Sequence, residues 1–542
     1  MGVETETERR PGRMRDGLAV AAAYPVALAA GLLVWWVTGA AGAGFSGADE
    51  SAHFLNSYFV AFYGQTAFGE NPLAFATEFY LHYPKISIGH WPPAYYGLVA
   101  PFFLVAPPTP AAAFALNLFV SALPALGVAA LLAKLDGRRA APAGVLVWAL
   151  TPLALEGQAF LMLDQALAAC AVAATIAWLA FAERQSWPRI ILFAGLAALA
   201  ILIKGNGWLL VFVPPLHILL TGRWRLLASP LLYAGAAFGG LLVTPWYLAT
   251  AGIAADGFNY EMGLGYAWKA LAFNAGIMFD NVGPIGFAFA GTAVLAEYRD
   301  RRATPGRWTV AAACIALILA TLALQSLVPV DIADRYMAPA LPPLVVLILV
   351  GAARMVKAIA RPRLKWAAAS VACVALLLPG TLHLAARAPK ADLRLEQAAA
   401  IATRHPGAWL IDGGSGAEGA FIAAMAVRDS RLEHYTVRGS KLLAHSDFMG
   451  SDYRLKFADA AAVAGELARL GVGGIVLAEG EGGAAFAHSG QLKAGLERDY
   501  RLAAVLRHRG RPGTTSIYRS ARPIVADAQA IRALGLPDKA PR

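Results

Sequence analysis

The chain has 542 residues, of which 58% are hydrophobic and 15% charged, with a mean hydropathy of +0.53. That balance excludes a water-soluble globule, because apolar runs recur up to about residue 388 and many approach the ~20 residues a spanning helix needs. The formal net charge of +11 does not mark a nucleic-acid binder: the basic residues gather in short loops between apolar runs, the positive-inside signature of a multi-pass membrane protein.

In chain order, a basic tail (1–16) carries Arg9, Arg10, Arg13 and Arg15 and leads into an apolar stretch, 17–39. Its length, its Trp35-Trp36 end and the acidic pair beyond it read as a retained first span, not a cleaved signal peptide. Basic clusters at 9–15, 134–139, 183–189, 223–225, 299–307 and 354–365 are assigned to the cytoplasmic side. Spans are predicted at 17–39, 110–133, 140–158, 163–182, 189–203, 206–222, 228–250, 282–297, 308–328, 336–353 and 366–386. These roughly eleven crossings put every basic loop inside, the N-terminus inside and the residues after 388 outside. Segment 93–106 is apolar but too short for an ordinary span, and reads as re-entrant or interfacial. Cys170, Cys314 and Cys373 lie in apolar segments without metal-ligand spacing, as free buried thiols would. No transporter-like repeat is evident.

The outer face then collects loop 40–92, the turn near Asp164, Lys204-Gly205-Asn206-Gly207, loop 251–281 and 330–335. Loop 40–92 interleaves Phe54, Tyr58, Phe62, Tyr63, Phe79, Tyr80 and Tyr83 with polar residues, a pattern for amphipathic helices lying on the membrane. Beyond 388, Trp409-Leu410-Ile411 and Ile475-Val476-Leu477 read as buried strands and Ala458–Leu470 as an amphipathic helix. Gly413-Gly414-Ser415-Gly416 lacks both the Gly-Lys-Ser/Thr ending of a phosphate loop and full GxGxxG spacing, so a strand-to-helix turn is expected. The expected architecture is a polytopic α-helical membrane unit, 17–388, followed by a small soluble α/β domain, 389–542, outside the membrane.

Asp49-Glu50 lies about ten residues past the first span. Such a pair is a hydrated loop feature, a helix cap, or a general base at a membrane mouth. His53 would share a helical face with Asp49. A divalent ion there has too few ligands to be favoured, so no metal site is assigned. Asp164 at the start of a span is either a helix cap or a second acid that orients a base or a hydroxyl. Lys204 follows an apolar run and either snorkels to the interface or serves the site. Arg335-Tyr336, preceded by Asp331 and Asp334, reads as a local ion pair or as a phosphate-recognising fork. Acids at a cavity mouth with cations at helix ends suit one task, moving a group from a membrane-bound phosphate onto a hydroxyl.

These features resemble the membrane glycosyltransferases of the GT-C class, family 39, which includes protein O-mannosyltransferases and the lipid A aminoarabinose transferase. The resemblance runs from about residue 15 to 390. It rests on the order of Asp49-Glu50, Pro92-Pro93-Ala94-Tyr95-Tyr96, Leu163-Asp164-Gln165-Ala166, Lys204-Gly205, Pro245-Trp246-Tyr247 and Arg335-Tyr336-Met337-Ala338-Pro339-Ala340-Leu341-Pro342. It implies inverting transfer of a sugar from a polyprenyl-phosphate donor to a hydroxyl of an envelope glycolipid, polysaccharide or protein, outside the cytoplasmic membrane. By the same resemblance Asp49 is the base, Glu50 and Asp164 position Asp49 or the sugar, and Lys204 and Arg335 stabilise the departing phosphate. His53, Lys85, His90, Tyr95 and Tyr336 are further candidate substrate contacts. The aminoarabinose transferase has a lysine just before its Pro-Pro; here Trp91 stands there, with His90 before it and Lys85 nearby as a candidate substitute.

Two other classes compete. A flippase or transporter of a lipid-linked sugar predicts ionisable residues deep within spans and broken helices at mid-membrane. A lipid-linked polymerase or ligase predicts a large outer loop late in the chain. Charges at outer helix ends, with the main outer loop first, favour the transferase.

Overall fold

The computed structural model describes residues 6–40, 42–87, 89–135, 140–255, 260–446, 452–480 and 486–534. The tail residues 1–5 and parts of loops 134–139 and 251–281 lie outside the described residues. The helices are α1 (Glu6–Val37), α2 (Glu50–Thr66), α3 (Pro72–His82), α4 (Ala94–Val105), α5 (Pro110–Ala122), α6 (Pro124–Lys134), α7 (Ala141–Ala149), α8 (Pro152–Ala159), α9 (Asp164–Glu183) and α10 (Trp187–Ile203). They continue with α11 (Val213–Thr221), α12 (Pro230–Ala255), α13 (Leu264–Arg299), α14 (Pro305–Leu327), α15 (Leu341–Ala358) and α16 (Pro362–Ala386). Among the described residues, 8 stretches are long and apolar enough to cross a membrane, and three shorter apolar ones accompany them, at Ala94–Val105, Trp187–Ile203 and Gly205–Thr221. The chain is a multi-pass membrane protein. Many of its helices open with proline, whose fixed φ suits a first turn that has no N–H partner to lose.

Several predicted elements differ in the structure, each for a local reason. The span expected at 140–158 is two short helices, α7 and α8, because Thr151 is extended ahead of Pro152; proline disfavours a helical residue before it. Much of the expected loop 251–281 is helix. The buried residues Tyr266, Ala270, Asn274, Met278 and Asn281 of α13 recur at helical spacing, but polar and glycine residues interrupt the apolar run. Gly283, at φ 67°, breaks α13 just before Pro284. Cys373 is exposed on α16, unlike the buried Cys314, so not every thiol is buried.

Loop 40–92 does form helices, but α2 is no surface helix. Its residues from Glu50 to Phe59 are all buried. The reason is the unit that follows α16, which comprises α17 (Leu395–Ala402), β1 (Gly407–Asp412), α18 (Ser415–Ala426), β2 (His434–Arg438), β3 (Ala444–His445), β4 (Arg454–Leu455), β5 (Val472–Gly480), β6 (Tyr500–Arg507) and β7 (Gly513–Ser520), with further helices between. Its five-stranded sheet has the order β2-β1-β5-β7-β6; β2, β1 and β5 run parallel, and β7 and β6 are antiparallel. The glycine run after β1 is the expected turn into α18, and helix Ala460–Arg469 stands where amphipathic periodicity placed it.

Phe45, Phe54, Tyr58, Phe62, Phe79 and Tyr83 of the first outer segment share one apolar cluster with Trp409, Ile411 and Phe421 of this unit. Polar latches reinforce the join. Tyr83 Oη donates to Asp429 at 2.5 Å, and Thr436 Oγ1 donates to the His82 carbonyl at 2.7 Å. The packing therefore continues across residue 388. At the opposite ends of α13, α14 and α15, fully buried Glu297 accepts from Arg307 (2.7 Å) and Arg354 (2.8 Å).

Candidate active site

The site forms at the helix ends away from that basic cluster, where α2, α9, α10, α14 and the turn before α15 converge. Asp49 occupies the N-cap position of α2 but makes no side-chain cap bond. Instead its Oδ2 accepts from Arg335 Nη2 at 3.1 Å. Arg335 lies in a 3-10 turn, Asp334–Ala340, that leads into α15.

Beside this pair stands a second one. Asp164, the first residue of α9, is 2.6 Å from the ammonium of Lys204 through Oδ1, and both are buried. Lys204 reaches it because α10 stops there: the residue is extended, at φ −155° and ψ 138°. A buried ion pair needs good geometry and further hydrogen bonds to offset desolvation. Here the Tyr336 ring contributes, with Lys204 Nζ 4.7 Å and Arg335 Cζ 5.5 Å from its centroid. Asp164 Oδ2 is buried without a hydrogen-bond partner.

His53 sits one turn into α2, where its N–H donates to the Asp49 carbonyl at 2.9 Å. Its Nδ1 is 3.0 Å from Tyr96 Oη and its ring is 4.5 Å from that of Trp91. Burial holds the imidazole down to about 4, outweighing the pull of Asp49 in the other direction, so it is neutral at neutral pH. Its hydrogen-bond partner is thus Tyr96, the neighbour of Tyr95, which the sequence offered as a candidate substrate contact. Tyr95 is buried against Phe54, Val99 and Phe103. Among the described residues no three His, Cys, Asp or Glu side chains gather where they could hold a metal ion.

Glu50, expected from the sequence to position Asp49 or the sugar, makes its contacts away from the Asp49 carboxylate. It is completely buried, and both its oxygens are engaged. Oε2 accepts from the N–H groups of Ser46 and Gly47 (2.8 and 2.7 Å), and Oε1 from Leu161 N–H (3.1 Å) and Lys390 Nζ (2.5 Å). Lys390 also donates to the Ala159 carbonyl and lies over the Phe114 and Phe160 rings. The contacts make Glu50 a clamp that ties the start of α2 to the 160 region and to the segment after α16.

Lys85 sits at the join with α18. Burial holds its ammonium down to about 8; Arg438 acts in the same direction, and Asp49 and Glu418 oppose. Two glycines let α18 approach this closely: a Cβ on Gly419 would fall 2.1 Å from Ser51 Oγ and 2.8 Å from Lys85 Cε, and one on Gly416 2.1 Å from the Ser46 carbonyl. His90 is half-buried beside Trp91, its N–H closing a turn onto the Ser87 carbonyl. Thus the structure gathers Asp49, His53, Asp164, Lys204, Arg335 and Tyr336, with Lys85 at the edge. Sequence reasoning passed over Tyr96, Trp91 and Lys390. The first two lie within the Pro-Pro motif; Lys390 has no local signal.

Residues 90–248 match the family model described as dolichyl-phosphate-mannose-protein mannosyltransferase. That region includes Asp164 and Lys204 but neither Asp49 nor Arg335. No curated protein matches the chain. Among solved structures, ArnT from Cupriavidus metallidurans in the apo state superposes with a TM-score of 0.55 at 15% identity, covering 94% of this chain and 98% of that one. The chain has the GT-C fold. ArnT from the same organism bound to undecaprenyl phosphate gives 0.54 at 13% identity over the same shares. The oligosaccharyltransferase of Archaeoglobus fulgidus, tethered with an acceptor peptide, gives 0.54 at 12% identity, covering 85% of this chain and 68% of that one. The breadth of these matches means that the GT-C likeness extends over both the helical bundle and the unit that carries the sheet.

Proposed function

We propose that the chain is an inverting glycosyltransferase that moves a sugar from a polyprenyl-phosphate donor to a hydroxyl of a cell-envelope acceptor. The single observation that carries this reading is the contact between Asp49 and Arg335, with the Asp164–Lys204 pair alongside. Two carboxylates and two cations at the end of a membrane bundle, one carboxylate as base and the other holding Lys204, suit a lipid phosphate leaving group and a hydroxyl nucleophile. The undecaprenyl phosphate bound by the similar ArnT structure supports that donor class.

In the reaction Asp49 removes the acceptor hydroxyl proton, and the oxygen attacks the anomeric carbon from the side opposite the phosphate. The bond between that carbon and the phosphate oxygen breaks, its electron pair leaves with the lipid phosphate, and the configuration inverts. Arg335 and Lys204 stabilise the growing negative charge, and Asp164 fixes Lys204 in place. Arg335 has a double task, because donor phosphate competes with Asp49 for its guanidinium. Phosphate binding draws the fork away from Asp49 and releases the carboxylate to act as base only when a donor is present. His53, neutral and held by Tyr96, supports the start of α2. Lys85 and α18 flank Asp49, and in this reading the acceptor enters between the bundle and the sheet-bearing unit, with His90 and Trp91 near its path.

The protein is placed in the cytoplasmic membrane, with the site and the sheet-bearing unit on the outer side. The basic ends of α13, α14 and α15 support this, since they lie at the opposite end from the site. The charged groups of the site stand at helix ends, which favours surface chemistry over carriage of a lipid-linked sugar. The test is release of free polyprenyl phosphate when the purified chain, in liposomes, is given a panel of polyprenyl-phosphate sugars and an envelope extract. Turnover of one donor dependent on extract supports the reading; movement of intact donor between leaflets without release supports the transporter.

A further inference from the structure

The hydrogen-bonding inventory around Lys204 and Arg335 is lopsided. Three buried N–H donors there have no partner: Arg335 Nε, the side-chain amide of Asn206 and that of Gln325. They come from three separate elements. Asn206 is two residues beyond Lys204 in the 3-10 turn Gly205–Val211, Gln325 is in the last turn of α14 and only 7% exposed, and Arg335 opens the turn before α15. These elements pack on one another, since α14 contacts both 3-10 turns. A buried unpaired donor costs about 1–3 kcal/mol, so three on adjoining elements are a poor way to build a merely structural helix junction. With the Lys204 ammonium added, the set presents donors and positive charge; among the described residues Asp164 Oδ2 is an unpaired carboxylate acceptor beside it, and the unpaired Ser326 hydroxyl next to Gln325 can act in either sense. A receptor of that composition fits a tetrahedral oxyanion far better than a sugar hydroxyl, which needs donors and acceptors in similar number.

We infer that Gln325 and Asn206 hold oxygens of the donor's lipid phosphate, completing a receptor begun by Lys204 and Arg335. This rests on the donor class proposed above. The two amides contribute hydrogen bonds without charge, so they bind the phosphate of donor and product alike and act on affinity more than on the chemical step.

The test is equilibrium binding of farnesyl phosphate to the purified full chain, with farnesol as the probe lacking phosphate. Gln325→Leu and Asn206→Ala each raise the Kd for farnesyl phosphate about tenfold, the loss of one charge-assisted hydrogen bond. Both leave farnesol binding unchanged and do not lower the melting temperature, since each removes a donor that is unpaired without ligand, and Gln325→Glu, which sets a carboxylate against the phosphate, loses more binding. Should Gln325→Leu fail to fold, Asn206→Ala and Gln325→Glu carry the same test. A Kd within twofold of wild type in the folded variants, or an equal loss for farnesol, overturns the inference while leaving the donor reading intact. Failure of the wild-type chain to bind farnesyl phosphate more tightly than farnesol overturns the donor reading itself.

Discussion

Arg335 Nη2 lies 3.1 Å from Asp49 Oδ2 although 286 residues separate the two in the chain. Both side chains keep partial contact with solvent, at 35% and 27% exposure. An ion pair of that kind contributes at most about 1 kcal/mol to stability. Arg335→Gln is therefore expected to leave the melting temperature nearly unchanged while lowering kcat by about 10²-fold or more, the scale for removing a group that stabilises leaving-group charge. Arg335→Lys keeps the charge but loses the planar fork, and falls between the two. Thermal melts and donor turnover on the same preparations check this.

Glu50 and Lys390 behave in the opposite way. Both are buried, and removing either partner leaves an uncompensated charge in the interior. Glu50→Gln and Lys390→Met should each destabilise the protein by roughly 3–5 kcal/mol. The double variant should lose less than the sum of the single losses. Denaturation in detergent, read as a double-mutant cycle, measures the coupling; additive losses would remove the clamp from the account.

His53 makes stability depend on pH. Its folded form is held down to about 4 by burial, below the unfolded value near 6.5, so the unfolded chain binds the proton more readily. Its contribution is thus complete above about pH 6.5 and is lost as pH falls toward 4, by up to roughly 3 kcal/mol. His53→Gln should flatten that part of the stability profile. An unchanged slope between pH 6.5 and 4 would mean that other groups cause it.

Gly416 tests whether the sheet-bearing unit must dock for catalysis. A Cβ there meets the backbone carbonyl of Ser46 at 2.1 Å, three residues before Asp49, and backbone cannot step aside as a side chain can. Gly416→Ala should cost about 1–3 kcal/mol of docking, expose residues 40–50 to protease and lower transfer at least tenfold. Unaltered proteolysis and activity would show that the contact is dispensable.

Much of this site was legible in the sequence because charges are scarce in so apolar a chain. Asp164, Lys204 and Arg335 each stand at the edge of an apolar run and Asp49 about ten residues past one, and assigning sides from basic loops puts all four on the outer face. The clamp that Glu50 makes is not legible in the sequence, for a physical reason. Its partner Lys390 lies 340 residues away in the segment following α16, and no local pattern connects them. That Tyr96 faces His53 depends on how α4 is rotated, which a run apolar on every side does not specify. The burial of α2 likewise depended on the sheet-bearing unit, whose aromatic residues complete a core that begins in the first outer loop.

The most direct measurement is turnover by Asp49→Asn in liposomes supplied with the donor and extract that support the wild-type chain, alongside farnesyl phosphate binding. Release of polyprenyl phosphate is expected to fall by at least 10³-fold with binding of farnesyl phosphate retained, because asparagine cannot accept the hydroxyl proton. Turnover within tenfold of wild type would contradict the assignment of Asp49 as the base.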